Sequence, residues 1–356
     1  MAGRISIGLD IGTSAVRAAQ LSYSRDSVTL DRFGQVALPE GAVRGGEVVD
    51  VTTVAAAIEE LWKQFNFSSK KVILGVSNQS VVVRQVDLPV IPAKELRGAL
   101  PFHVGDLVPF PVENAMLDFF SIEQITDADA VPAQRGLLVA ATRTMIDNAV
   151  AAAVQAGLRP TSVDLSSFAV LRALGTTDQL GLGVAVEALV DVGSAVTNIV
   201  VHRGGVVTFV RILLLGGHDI TEAIGNRLGI NLTEAEALKV RLGSLSASAD
   251  APVEDQQAAR VIDHAVGSFV DEVRGSLDYF LASTGSAPIG RLALSGGGGR
   301  LLGLADRVAD ACRVPVVAPA TFASLVMGST GLNTDQASFA EPIAAVPVGL
   351  AMGAFR

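Results

Sequence analysis

The sequence predicts a bilobed α/β protein whose first lobe carries a small α/β insertion. Three observations point there. An apolar strand runs into Asp, glycine and hydroxyl residues twice, about half a chain apart. The copies are Gly8-Leu9-Asp10-Ile11-Gly12-Thr13-Ser14-Ala15-Val16-Arg17 and Leu189-Val190-Asp191-Val192-Gly193-Ser194-Ala195-Val196-Thr197, each between strand-like runs. A proline-punctuated stretch from Pro89 to Pro111 interrupts the first half. The length, 356 residues, suits two domains or one bilobed protein.

Composition narrows the function. The chain is 49% hydrophobic and 18% charged, so a large core is available and disorder is not expected. A net charge of -9 without a Lys/Arg stripe argues against nucleic acid, and 5% aromatics leave little for a base-stacking platform. Cys312 is the only cysteine. No disulfide can form within the chain, which fits a reducing compartment, and its helical apolar setting reads as a small buried hydrophobe. His103, His202, His218 and His264 show no metal-ligand spacing and are read as surface or capping residues. No secretory leader is expected, and no run approaches the roughly 18 uncharged apolar residues of a membrane span. The expectation is a cytoplasmic protein with no direct membrane insertion.

Taken in order, residues 4–10, 16–22 and 28–38 are expected strands. No long helix follows the first glycine turn, which separates it from a P-loop or a dinucleotide fingerprint. Residues 53–65 are an amphipathic helix with Val54, Ile58, Leu61, Trp62 and Phe65 on one face. Strands 71–77 and 81–86 follow. The first lobe is placed at 1–83 and 161–187. The insertion at 84–160 holds a helix starting near Ala93, strands 116–123 and 136–142 joined by an acidic loop (126–134), and a helix 143–156 stopped by Gly157. Strand 161–164, helix 166–174 and a hinge-like loop 175–183 lead to the second lobe, 188–340. There, strand 184–192, hairpin strands 198–202 and 206–215, and helices 220–228 and 233–242 precede a polar loop (243–250) read as the most mobile segment. A long helix, 255–283, closes a helical subdomain at 217–289. Strand 291–295 opens into four glycines, with a helix 301–313 directly after. Beyond 314–318 the chain reads as loop until a packed C-terminal helix beginning at Pro347. Residues 341–356 return to the first lobe.

The chemistry lies in the loops. A nucleotide-bound Mg²⁺ keeps several waters and needs only one or two carboxylates. Asp10 and Asp191, one from each lobe, meet that need through water. Gly12 and Gly193 let the backbone approach phosphate, Thr13, Ser14 and Ser194 add hydroxyls, and Arg17 adds a cation. One Asp-x-Gly alone is an ordinary hairpin turn; two copies in the same setting favour a phosphate site. Gly296-Gly297-Gly298-Gly299-Arg300 offers N–H groups to an adenosine or an α-phosphate. Thr233 with Glu236 reads first as a capping box, while Glu236 and Lys239, spaced i,i+3, can also hold a ribose.

In this order the three glycine loops resemble those of the actin-like ATPase superfamily, which comprises actin, the heat-shock chaperone ATPase domain, sugar kinases and FtsA. Their phosphate-1, phosphate-2 and adenosine motifs look like residues 10–17, 191–197 and 296–300. The insertion resembles that of FtsA and, more closely, that of the type IV pilus assembly family PilM. The latter resemblance covers nearly the whole chain. It rests on Leu9-Asp10-Ile11-Gly12, Val108-Pro109-Phe110-Pro111, Leu117-Asp118-Phe119, residues 138–142, Gly216-Gly217-His218-Asp219-Ile220-Thr221, Ala235-Glu236-Ala237-Leu238-Lys239 and Val348-Gly349-Leu350-Ala351. It implies a bilobed actin-like (ribonuclease H-like) ATPase fold with an FtsA/PilM-type α/β insertion. ATP or ADP with Mg²⁺ would sit between the lobes, and Thr197, Gly217, Gly296, Gly297, Gly298, Arg300, Glu236 and Lys239 would join the loop residues above as contacts. It further implies a protein held at the inner membrane by gripping the N-terminal tail of a PilN-like partner. The grip would lie near Phe102, Val104, Leu107, Val108, Pro109 and Phe110; alternatively that run packs the insertion's own core. Other pilus components, including the motor ATPase, and self-association complete the implied partners.

Departures temper the resemblance. Pro101 and His103 stand where relatives have an unbroken Glu-rich helix, and Ser166-Ser167 stands where relatives often begin a helix with Glu-Pro. Asp164 is the candidate base or water-orienting group, and equally a candidate N-cap. Hydrolysis is therefore expected to be slow or absent. Two alternatives stand beside the scaffold: a small-molecule kinase of the same superfamily, and an FtsA-like filament tethered to the membrane. Against the latter, residues 343–355 carry no cation.

Overall fold

The computed structural model describes residues 4–126, 131–176, 186–245 and 250–355. The expected acidic loop, hinge-like loop and mobile polar loop fall wholly or partly outside these residues.

Strands β1 (Arg4–Ile11), β2 (Ala15–Tyr23) and β3 (Val28–Ala37) form an antiparallel meander. A small hairpin, β4 (Val43–Arg44) and β5 (Glu47–Val48), leads to helix α1 (Val51–Phe65). Asp50 starts α1 by accepting from the Thr53 N–H at 3.0 Å, which satisfies one of the donors a helix start leaves open. Val54, Ile58 and Leu61 of α1 are fully buried in one core cluster with Ile7 and Leu9 of β1. Each such side chain contributes roughly 1.5–3 kcal/mol. Strand β6 (Lys71–Val76) then lies parallel to β1, a pairing that requires a crossover such as α1.

The insertion comprises β7 (Val81–Pro89), α2 (Ala93–Val104), β8 (Ala115–Thr126), β9 (Pro132–Thr142) and α3 (Arg143–Gln155). Its sheet has the order β7-β9-β8 and a core of its own: Leu88, Leu100, Val104, Val108, Phe119, Leu138 and Ala140. Strand β10 (Arg159–Leu165) rejoins the first sheet, parallel to β6, and α4 (Ser166–Leu174) leaves it.

The second sheet repeats the plan of the first. Strands β11 (Val186–Val192), β12 (Thr197–Arg203) and β13 (Val206–Leu213) form a meander. Helices α5 (Gly217–Leu228), α6 (Leu232–Leu242) and α7 (Val253–Thr284) cross over to β14 (Ile289–Ser295), parallel to β11. Helix α8 (Leu304–Cys312) and β15 (Val316–Val317) complete it.

The chain from 319 to 343 is not all loop. It adds β16 (Val326–Met327) to the edge of the first sheet, giving the order β10-β6-β1-β2-β3-β16, and folds α9 (Thr334–Ala340) with an Asn333–Gln336 capping box. Helix α10 (Ala345–Met352) starts two residues before Pro347 and lies between the sheets beside α4. Ile73, Ala169, Val170, Leu189, Val200, Ala293, Val346 and Leu350 form one apolar cluster there, drawing on both sheets.

Two further expectations are corrected. The helix after the four glycines begins at Leu304, not 301; a single 3-10 turn, Gly298–Arg300, intervenes. His202 is neither a surface nor a capping residue. It is fully buried, its Nε2 is 3.2 Å from Glu187, its Nδ1 accepts from the Gly205 N–H, and burial holds its pKa below the usual histidine value.

Candidate functional site

The two Asp-x-Gly loops are built alike. Gly12 N–H donates to Ala15 O at 3.0 Å, and Gly193 N–H to Val196 O at 2.9 Å, so each glycine closes a tight turn between antiparallel strands. Asp10, next to last in β1, lies directly opposite Arg17 of β2, and Asp191, next to last in β11, lies opposite Asn198 of β12. In both copies the acid and the opposed residue are seven positions apart. Arg17 Nη1 lies 3.6 Å from Asp10, and Arg17 Nε donates to Gln35 at 2.7 Å. Ser295, at the end of β14, donates to Asp191 Oδ1 at 2.7 Å.

Burial dominates the electrostatics. It pushes the Asp191 carboxyl up to about 6, with the Asp10 charge adding to the rise and Ser295 and Arg17 opposing it. Burial also raises Asp10, with Arg17 opposing. Two desolvated acids that feel each other, with one cation nearby, form a site short of positive charge. A divalent ion fits that deficit. No group of three or more acid, histidine or cysteine ligands exists among the described residues. The donor set therefore suits a hydrated Mg²⁺ carried by phosphates, not a protein-only cage.

Glycines crowd the second-lobe side. A Cβ at Gly216 would lie 2.4 Å from Ser194 O, and one at Gly298 2.6 Å from Val192 Cγ1. Gly296 takes a positive φ of 84°, and a Cβ there would lie 2.3 Å from Val192 O. Gly217 sits beside Gly298 and the Lys239 ammonium, each 3.5 Å from where its Cβ would be. The first amides of α5 are already used: Gly217 donates to Gly193 O and His218 to Ser194 O. Backbone thus packs on backbone around the Gly193-Ser194 turn.

A family model described as type IV pilus assembly protein PilM matches residues 8–355. The chain belongs to the PilM family. Among solved structures, a chain of the PilM-PilN type IV pilus biogenesis complex superposes with a TM-score of 0.83 at 26% identity, covering 98% of this chain and 97% of that one. The cell division protein FtsA of Bacillus subtilis is 26% identical over 260 residues, 67% of this chain and 58% of its own length. The chain thus spans less than two thirds of that curated relative. MreB 5 of Spiroplasma citri, in a structure bound to AMPPNP, shares the fold with a TM-score of 0.53 at 13% identity, over 98% of this chain and 95% of that one. The fold is that of the actin-like ATPases.

The family setting sharpens the remaining residues. The capping box of α6 is Asn231 with Glu234, not Thr233 with Glu236: Asn231 Oδ1 accepts from Glu234 N–H at 2.9 Å. Glu236 is thereby released from capping. Lys239 Nζ donates to Gly217 O at 2.7 Å, Thr221 Oγ1 at 2.8 Å and Glu236 Oε2 at 2.6 Å. All three ammonium donors are used. Glu236 stays half exposed at the edge of this buried network. Thr197 does not face the loop, contrary to expectation. It is fully buried, and its hydroxyl donates to Leu215 O at 2.7 Å, holding the end of the hairpin.

Asp164 is not an N-cap; the N-cap of α4 is Leu165, which offers no side-chain cap. Asp164 Oδ2 pairs with Arg172 of α4, and Oδ1 accepts from Leu165 N–H at 2.7 Å. It lies two strands from Asp10 on the same sheet, roughly 10 Å away. In the expected grip, Val104 and Val108 are enclosed in the insertion's core, so they present nothing to a peptide. Leu107 and Phe110 pack partly against that core, Pro109 is exposed, and Phe102 is 89% exposed.

Sequence reasoning missed Ser295, Thr221 and Asn198. The repeat itself points to Asn198, seven residues after Asp191 as Arg17 is after Asp10. Asn198 Oδ1 accepts from Ser77 Oγ at 2.7 Å and Ser167 Oγ at 2.9 Å, both from the first lobe. Asn198→Leu leaves those two hydroxyls without their acceptor and is expected to cost about 2 kcal/mol in urea denaturation. Hydrogen exchange at the end of β6 and the start of α4 should accelerate with it. Unchanged stability and exchange would show that this bond does not join the lobes.

Proposed function

We propose that the protein is a nucleotide-dependent scaffold of type IV pilus assembly. It binds Mg·ATP or Mg·ADP between its lobes and the N-terminal cytoplasmic tail of a PilN-like inner-membrane partner, which holds it at the cytoplasmic face of that membrane. The observation that carries the nucleotide reading is the doubled loop with its two desolvated acids, Asp10 and Asp191. Bound Mg²⁺ would supply charge neutralisation to the phosphates, and Asp10 and Asp191 would orient its water shell. Gly12, Thr13, Ser14, Arg17, Gly193 and Ser194 surround the phosphates. Gly217 and Gly296 to Arg300 border the nucleoside. Glu236 accepts from the ribose, and Lys239, whose donors are spent on Gly217, Thr221 and Glu236, fixes Glu236 in place.

Turnover is slow or absent in this reading. Asp164, the candidate base, has both carboxylate oxygens engaged. Helix α10 offers no membrane-binding face, since every residue from Ala345 to Ala351 is buried. No helix among the described residues is long and apolar enough to cross a membrane. The partner reading rests on the family and on the exposure of Phe102 and Pro109.

Calorimetric titration tests both halves. Mg·ATP should bind in a Mg²⁺-dependent manner, and a synthetic PilN-type tail peptide should bind wild type but bind Phe102→Ser less tightly. A protein that binds neither nucleotide nor peptide would remove this reading. Rapid phosphorylation of a sugar or polyol would replace it with a kinase.

A further inference from the structure

The guanidinium carbon of Arg300 lies over the ring of Phe339, 3.6 Å from its centroid. Arg300 closes the 3-10 turn of the third glycine loop; Phe339 belongs to α9, a helix that the sequence pattern does not announce. Among the described residues, Arg300 makes no side-chain hydrogen bond and no ion pair. One side of the cation is thus covered by an aromatic ring, while Arg300 itself stays exposed and its N–H edge is uncommitted among the described residues. Such a group stacks well on a second π-system. The platform is held firmly. Gly296 N–H donates to Pro342 O at 2.8 Å, so the segment just after α9 is tied to the start of the same loop. Asn333 and Gln336 cap the other end of the helix reciprocally. Phe339 is nevertheless 50% exposed, so its ring does not serve the core alone.

We propose that Phe339 is a positioning residue for nucleotide binding: it holds the Arg300 guanidinium in the plane on which the purine of the bound nucleotide stacks. This rests on the nucleotide reading above. The role is indirect, because Phe339 acts through Arg300, and it concerns the base and not the phosphates.

The test compares Mg·ATP with Mg·tripolyphosphate, which lacks base and sugar, on the full chain. Phe339→Ala and Phe339→Leu should each weaken Mg·ATP on the order of fivefold and leave Mg·tripolyphosphate unchanged. Phe339→Tyr, which keeps the ring, should bind Mg·ATP as wild type does. Leucine retains apolar bulk, so recovery by Phe339→Leu would show packing in place of stacking and overturn the proposal. Equal Mg·ATP affinity in Phe339→Ala and wild type would also overturn it. Failure of wild type to bind Mg·ATP at all would instead remove the nucleotide reading, and the proposal with it.

Discussion

Asp10→Ala and Asp191→Ala will each weaken Mg·ATP binding by at least about tenfold, the scale set by losing a charge-assisted contact in a desolvated site. ATP measured in excess EDTA should respond far less, since both acids act through the metal. The same residues make an opposite prediction for the ligand-free protein. Asp191 titrates at about 6 in the folded chain against 3.8 for an ordinary aspartate. The folded state therefore holds a proton that the unfolded state has released across that interval. Stability from this group is fully present below about pH 3.8 and is lost as pH rises through about 6. Above that, ionised Asp191 burdens the fold by roughly 3 kcal/mol. Asp191→Asn should consequently be more stable than wild type at pH 7, with the difference shrinking toward pH 4. Mg·ATP should recover the deficit in wild type only. Denaturant midpoints across pH 4–8, with and without Mg·ATP, measure all of this. A wild type that is as stable as Asp191→Asn at pH 7 without ligand would show that the acid is not held under strain in the cleft.

That site was legible because its signal is repeated. A strand buried on both faces, an acid at its end and a glycine turn back into an antiparallel strand leave the same mark at Asp10 and Asp191. What the sequence hid were choices settled by a few kcal/mol or by distant contacts. Thr233 and Asn231 are both fair caps, and the chain begins α6 at the earlier one; the two-residue shift frees Glu236 from capping. Thr197 carries a hydroxyl like its neighbour Ser194, but at the start of β12 the strand alternation turns it inward to Leu215. Val104 and Val108 flank exposed residues, and only the fold of α2 back onto β8 and β9 shows that they are core. His202 finds its partner, Glu187, fifteen residues upstream across a β-ladder that no local pattern fixes. Helix α9 is too short for periodicity to reveal, and with it the ring under Arg300 went unseen.

The packing of α10 makes the second large prediction. Helix α10 lies against β1 and α4 at two glycines. A Cβ at Gly8 would lie 2.1 Å from Pro347 O, and one at Gly349 1.8 Å from Ala169 O. Both obstacles are backbone carbonyls, so no rotamer change relieves them; the helices themselves must part. Gly349→Ala should therefore destabilise by about 3 kcal/mol, at the upper end of overpacking in a core. The effect should exceed simple packing, because Gly349 O also accepts from Arg172 Nε at 2.8 Å, and Arg172 holds Asp164. Displacing α10 disturbs that pair and the apolar cluster both sheets share. Gly275, in the interior of α7 with nothing within 4 Å of its Cβ position, is the control. Gly275→Ala should stabilise by roughly 0.5–1 kcal/mol through helix propensity alone. Urea midpoints at constant slope give both numbers. A Gly349→Ala protein within 0.5 kcal/mol of wild type would mean that α10 slides freely against α4.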